Sequence, residues 1–118
     1  MELKVINDKE KKFRLIFENA ISFIFTCNEL FQFSNCNPAS EFFLGYTPEE
    51  LNGTSVLNYI EASEEKNELI KLVRQKKIIR NLNLRFLSKH GEPKTGNISL
   101  TFFEAGDLEP HWQGIIYD

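Results

Sequence analysis

Two thiols (Cys27 and Cys36), two imidazoles (His90 and His111) and two acid pairs (Glu49-Glu50 and Glu64-Glu65) are the side chains from which this sequence could build a reaction centre. Structural zinc takes four ligands, and these Cys and His residues lack the finger-like spacing that would close such a site. No metal site is expected. The thiols flank a hairpin-like stretch, so pairing of its strands would bring them near each other. Met1 leads into a charged, mixed segment without the pattern of a signal peptide, so two reduced, buried thiols are the expected state. Adjacent acids on a helix point to different sides. Both pairs fall at helix starts, where negative charge complements the helix dipole. His90 in a turn and His111 at a strand start could act as bases, although turn residues mostly face solvent. A nucleophile elbow, a glycine-rich phosphate loop and an H-E-x-x-H motif are all missing. The expected domain is not an enzyme. A small α+β enzyme with dispersed catalytic groups is the remote alternative.

Binding rather than catalysis is suggested by one excess, eleven Phe residues among 118. Either they fill a tightly packed core or they line a pocket for an apolar or aromatic ligand. Net charge is −3 with Lys and Arg scattered among acids, so there is no basic stripe to hold a phosphate backbone. No apolar run is long enough to span a membrane, and a cytoplasmic setting is expected. The length suits one domain burying roughly two-thirds of its unfolded surface.

The elements that must position these residues follow from capping and periodicity. Asn37-Pro38 opens a helix that Gly45 ends, and Thr47-Pro48 opens another that Gly53 ends, with Glu50 completing a capping box on Thr47. Each is about two turns long and cannot stand alone, so the pair must pack on a neighbour and shape a wall or rim. Asn7 with Glu10 marks the start of a leading helix over residues 8 to 19, whose Phe13, Ile16, Phe17 and Ala20 recur at helical spacing. That stripe needs a partner, either its own sheet or a second copy. Ser22 to Cys27 and Phe31 to Cys36 read as short strands, and Ser63 caps a longer helix to about Lys76. Residues Ile78 to Ser88 and Lys94 to Glu104 alternate, setting Leu82, Leu84, Phe86, Ile98, Leu100 and Phe102 against polar neighbours. Turns at His90 to Pro93 and Ala105 to Asp107 lead to a last strand, Trp112 to Asp118. The fold class is α+β with an antiparallel sheet.

The run Asn37 to Gly53, NPASEFFLGYTPEELNG, resembles the PAS family of sensory modules in signalling proteins. Phe17-Glu18-Asn19-Ala20 is similar to the end of that family's leading helix, Lys89-His90-Gly91 to its turn between strands three and four, and Gly114 to Asp118 to its last strand. Two positions depart from the pattern: Phe31 stands where a Gly is frequent, and Asn28 where an Asp is usual. The resemblance implies a PAS domain over residues 10–118 behind an extension of residues 1–9, excised from or leading a longer signalling protein. It implies a five-stranded antiparallel sheet with short helices packed on one face around a ligand cavity. Output would come from a separate domain, a histidine kinase or a cyclic-dinucleotide enzyme of a two-component type system.

Family cofactors can be tested against the residues. The segment Thr54 to Asn58 carries no Cys where the light sensors bond flavin, and Ser63 to Lys76 carries no His for haem. Covalent flavin photochemistry and His-ligated haem are therefore disfavoured, leaving non-covalent flavin, a metabolite, a fatty acid or no ligand. The pocket candidates are Phe25, Asn37, Phe43, Tyr46, Tyr59, Leu84, Leu100 and Tyr117, with Asn37 and Tyr59 as polar contacts. Asn37 as a simple helix cap is the alternative. Phe13, Ile16 and Phe17 are the candidate homodimer contacts. Two functions compete: small-molecule sensing, and ligand-free dimerisation and relay.

Overall fold

Apolar alternation in the strands builds a sheet with one buried and one wet face. In the computed structural model, which describes residues 2–104 and 106–118 and the side chains from residue 10 on, five strands run antiparallel. They are β1 (Phe23–Asn28), β2 (Phe33–Cys36), β3 (Ile78–Leu87), β4 (Pro93–Phe103) and β5 (His111–Tyr117), in the order β2-β1-β5-β4-β3. Phe23, Phe25 and Cys27 of β1, Ile98 and Leu100 of β4 and Trp112 and Ile116 of β5 share the buried face. Leu84 and Phe86 extend it on β3. A bulge between Ile79 and Leu82, with Asn81 at a φ of 56°, keeps the inward set in phase on both sides of the irregularity.

The helices between β2 and β3 pack over this face. They are α2 (Ala39–Phe43), α3 (Pro48–Leu51), a 3₁₀ turn at Val56–Tyr59 and α4 (Glu64–Gln75). Thr47 and Glu50 form the expected reciprocal capping box, and the Ser63 hydroxyl accepts from the Lys66 N–H at 3.0 Å. Gly45 and Gly53 take φ values of 81° and 83°, which ends the two short helices where expected. The same crossover covers both sheet edges. Phe33 and Thr54 bond through their backbones at β2, and Glu61 N–H donates to the Arg85 carbonyl at β3. Edges blunted in this way resist strand-to-strand association.

The leading helix, α1, runs Glu2–Asn19, so Asn7 lies within it and not at its start. Strong helix formers upstream carry the backbone past the position where a capping residue would otherwise have begun it. Part of the expected Ala105 turn lies outside the described residues.

The β1–β2 turn shows what the departures at Asn28 and Phe31 do. The Asn28 side-chain oxygen accepts from the Leu30 and Gln32 N–H groups, both at 3.0 Å, and so still ties the turn. Phe31 adopts a φ of 63°, a left-handed conformation that a side chain disfavours by about 1–2 kcal/mol. Its ring is buried edge-on against Trp112 at 6.3 Å. Losing a buried Phe side chain costs about 3–5 kcal/mol, which outweighs the strain. Phe31→Gly is therefore expected to destabilise the domain by about 1–4 kcal/mol, the balance of ring loss and strain relief, in urea denaturation. A stabilised variant would mean that the ring contributes nothing.

Candidate functional site

The inner face of the sheet is where a PAS-like cavity would lie, and aromatic rings occupy it. Phe25 is fully buried, with its ring 5.3 Å from that of Phe23 and 5.2 Å edge-on from that of Phe33. It sits over Gly114, where an added Cβ would stand 2.3 Å from Phe25 Cζ and 2.7 Å from Leu100 Cδ2. Phe43 and Phe86 meet edge-on at 5.2 Å over Gly96, where a Cβ would lie 2.8 Å from Phe43 Cζ. Two glycines on adjacent central strands thus make room for rings from the chain itself. Leu84 and Leu100 are buried in the same cluster.

Tyr46 and Tyr59 meet edge-on at 5.1 Å beside the short helices, each half-buried. The Tyr59 hydroxyl bonds Thr54 Oγ1 at 2.8 Å. Asn37 is fully buried, and its amide reaches across the chain instead of capping α2. Its Oδ1 accepts from the Ile24 N–H at 3.0 Å and its Nδ2 donates to the Ser22 carbonyl at 2.9 Å. Both polar candidates are therefore bonded within the protein. Tyr117 is corrected: it is 47% exposed on the outer face. Trp112, Gly114 and Ile116 point inward, so the two-residue period turns Tyr117 outward.

A polar latch joins the rim to the β3–β4 turn. Lys89 Nζ donates to Glu50 Oε2 at 2.7 Å and stands 5.8 Å over the Tyr46 ring, while its backbone N–H donates to the Leu44 carbonyl at 2.8 Å. The bond from Lys89, followed by the Thr47 N–H, holds the Glu50 carboxyl below its usual 4.5. A carboxylate with a depressed folded value stabilises above its unfolded pKa, and that contribution is lost as pH falls through the folded value. Glu50→Gln is thus expected to lose less stability than the parent when urea titrations are carried down through pH 4.5 and below. Parallel acid profiles for the two proteins would rule the latch out as an acid-sensitive element.

The groups able to do chemistry do not converge. His90 lies in the turn before β4, and His111 lies beyond its far end, stacked on Phe103 at 5.8 Å. Cys27 and Cys36 are free thiols on neighbouring strands. Burial pushes both up to about 12, for Cys27 with a further contribution from nearby Cys36, so neither is a ready nucleophile. Among the described residues, no group of three His, Cys, Asp or Glu side chains is placed to hold a metal. No described helix is long and apolar enough to cross a membrane.

Open volume lies instead at one end of the inner face, where the chain enters β1 and leaves β5. A groove of about 560 Å³ is floored by Phe23, Ala39, Phe43 and Ile116, with Ile21 and Phe42 as its lips and Glu18, Lys94 and Asp118 at its rim. Ile21 is 97% and Phe42 88% exposed. Only Phe43 of these was a sequence candidate. The signal for Phe42 was available: Ala39, Ser40 and Phe43 share the buried side of α2, which leaves Phe42 opposite. Above the groove, α1 stands away from the sheet. Phe13 and Ile16 are each 68% exposed, and Phe17, stacked on Phe13 at 6.1 Å, is half-buried.

A five-stranded antiparallel sheet with short helices crossing one face between its second and third strands defines an α+β domain of the PAS class. The model of the family described as PAS fold matches residues 11–116, and the chain belongs to that family. The PAS domain of an HTR-like protein from Haloarcula marismortui superposes with a TM-score of 0.83 at 16% identity, covering 99% of this chain and 97% of that one. A domain of a sensory box sensor histidine kinase/response regulator from Geobacter sulfurreducens gives 0.77 at 19% identity, covering 96% of each chain. A PAS domain from a two-component sensor histidine kinase gives 0.73 at 25% identity, covering 93% and 96%. Comparison with curated protein sequences gives no match.

Proposed function

We propose that this domain is a signalling module that relays a state between two copies of itself and an output domain, with its core filled by its own side chains. The observation that carries this reading is the Phe25 ring seated over Gly114, with Phe43 and Phe86 over Gly96, where a family ligand would otherwise lie. Bonding of Asn37 and Tyr59 within the protein supports it, because both groups already have partners in the chain itself. The sensor histidine kinases among the structural relatives favour an output domain of that kind, with a cyclic-dinucleotide enzyme as the alternative. A cytoplasmic setting goes with either, and the domain itself catalyses nothing in this reading.

Pairing runs through α1. A helix whose described side chains are nearly all exposed gains little from its own sheet, and in proteins most helical stability comes from packing of an apolar face. Exposed Phe13 and Ile16 with Phe17 supply the apolar surface that a second copy would bury. Sedimentation at high micromolar concentration is expected to give a dimer, and Phe13→Glu a monomer of unchanged fold. A monomer for the parent protein would overturn the pairing. A small molecule held stoichiometrically through purification, seen by native mass spectrometry in the sheet interior, would favour sensing by direct binding instead.

A further inference from the structure

We propose that the groove at the foot of α1 is a binding site for a short apolar peptide with free ends, two residues long in its simplest form. The groove opens outward from the filled core. A peptide held there displaces neither Phe25 nor Phe86, and its binding does not depend on the pairing of two copies.

Strand register decides which side chains meet at this site. Phe23 of β1 lies opposite Ile116 of β5, and Ile116 opposite Ile98 of β4, all on the buried face. Side chains alternate along a strand, so Ile21, Asp118 and Lys94 continue that face past its buried part. All three line the groove, together with Glu18 from the end of α1 and Phe42 from α2.

The floor is apolar, and the rim carries both signs of charge. Phe23, Phe43 and Ile116 offer a surface for aliphatic or aromatic side chains, and the exposed Ile21 and Phe42 flank it. Among the described residues Glu18, Lys94 and Asp118 form no ion pair. A fatty acid would satisfy Lys94 but meet two carboxylates, and an apolar amine would satisfy the carboxylates but meet Lys94. A zwitterion with an apolar body suits all three. Its ammonium has three N–H donors to share between Glu18 and Asp118, and its carboxylate accepts from Lys94.

Length favours a peptide over a free amino acid. Asn97 pairs with Tyr117, so the next step of the ladder sets Asp118 opposite Gly96 and puts Lys94 on its diagonal. Diagonal neighbours stand about 7–8 Å apart. Two extended residues span about 7 Å, whereas the two charges of a free amino acid share one Cα. The volume of about 560 Å³ lies within the ordinary range of small-molecule sites.

The test is a titration of the intact chain with the dipeptide leucyl-phenylalanine, followed by amide chemical shifts. Shifts are expected at Ile21, Phe42 and Lys94, with those of Leu84 and Leu100 unmoved. Blocking the peptide by N-acetylation or by C-amidation should each weaken binding about tenfold, the scale of one charge-assisted hydrogen bond. The effect should vanish selectively. Glu18→Gln/Asp118→Asn protein should no longer distinguish the acetylated peptide from the free one, and Lys94→Gln protein should no longer distinguish the amidated one. Retained folding of each variant is checked by its amide spectrum. Equal binding of free and blocked peptides to the parent protein, or no shift with any of them, would overturn the site. Free leucine or phenylalanine binding as tightly as the dipeptide would overturn the assignment to a peptide. Shifts centred on Phe25 and Leu100 would place the peptide inside the sheet, against both this site and the filled core, whereas a parent protein that is monomeric in sedimentation counts against the pairing alone.

Discussion

Phe25→Ala is expected to lower the stability of this domain by about 3–5 kcal/mol, a fall in Tm of roughly 10–20 °C for a chain of this size. The ring is fully buried and packs between Phe23 and Phe33 with Gly114 beneath it, so its removal leaves an apolar void that the surrounding sheet cannot collapse to fill. Burial alone would predict a loss of that size at many positions. What is specific here is the coupling to Gly114. In the parent protein Gly114→Ala forces a methyl to within 2.3 Å of Phe25 Cζ, which by the usual penalty for overpacking costs about 1–3 kcal/mol. In the Phe25→Ala background that clash is gone, and only the 2.7 Å approach to a flexible Leu100 methyl remains. The double-mutant cycle should therefore give a favourable coupling of 1 kcal/mol or more, well above the roughly 0.3–0.5 kcal/mol scatter of independent sites. Equal penalties for Gly114→Ala in both backgrounds would show that ring and glycine are not matched.

The same variant tests whether the core is filled in place of a ligand. A dry cavity lined by phenyl rings and leucine binds small aromatic molecules. Benzene or toluene should raise the Tm of Phe25→Ala while leaving the parent unchanged. A comparable rise in the parent would mean that open space already exists beside the rings, and the relay reading would give way to sensing by direct binding.

Much of this arrangement could be read from residue order because the signals were local. The Thr47-Pro48-x-Glu50 box, the Ser63 cap and the alternation through Leu82 to Phe86 and Ile98 to Phe102 each specify an element through contacts a few residues apart. Positions that failed or stayed hidden depend on contacts across the sheet. Tyr117 belongs to a strand that the PAS resemblance places centrally, yet the period set by Trp112 and Ile116 turns it out. The left-handed Phe31 resembles no turn residue, and only burial against Trp112 explains it. The groove gathers residues 21, 42, 94 and 118, which topology alone brings together. Packing of Phe25 over Gly114 depends on the β1–β5 register, which no local pattern fixes.

Asn37 is the sharpest case, since one residue type served two readings that substitution can separate. As an N-cap, Asn37→Ala would cost about 1 kcal/mol and Asn37→Asp nearly nothing, because Asp caps as well as Asn. In the structure the buried amide instead joins α2 to β1, accepting from the Ile24 N–H and donating to the Ser22 carbonyl. Alanine would strip both groups of their partner. A buried polar group left unpaired costs about 1–3 kcal/mol, so a loss of about 2–5 kcal/mol is expected for the pair. Aspartate keeps the acceptor for Ile24 but turns a second oxygen toward the Ser22 carbonyl in a site without exposure. Burial and that repulsion favour the protonated form, whose O–H can donate as the amide did, so the folded state holds the proton more tightly than the unfolded chain. With the folded pKa raised, the variant is most stable with the carboxyl protonated, and loses stability as pH rises from the unfolded value through the folded one. Urea midpoints for Asn37→Asp, measured against Asn37→Ala, should therefore improve as pH is lowered from neutrality toward the ordinary carboxylate range, while the alanine variant shows no such gain. An aspartate variant as stable as the parent at neutral pH would return Asn37 to the role of a helix cap.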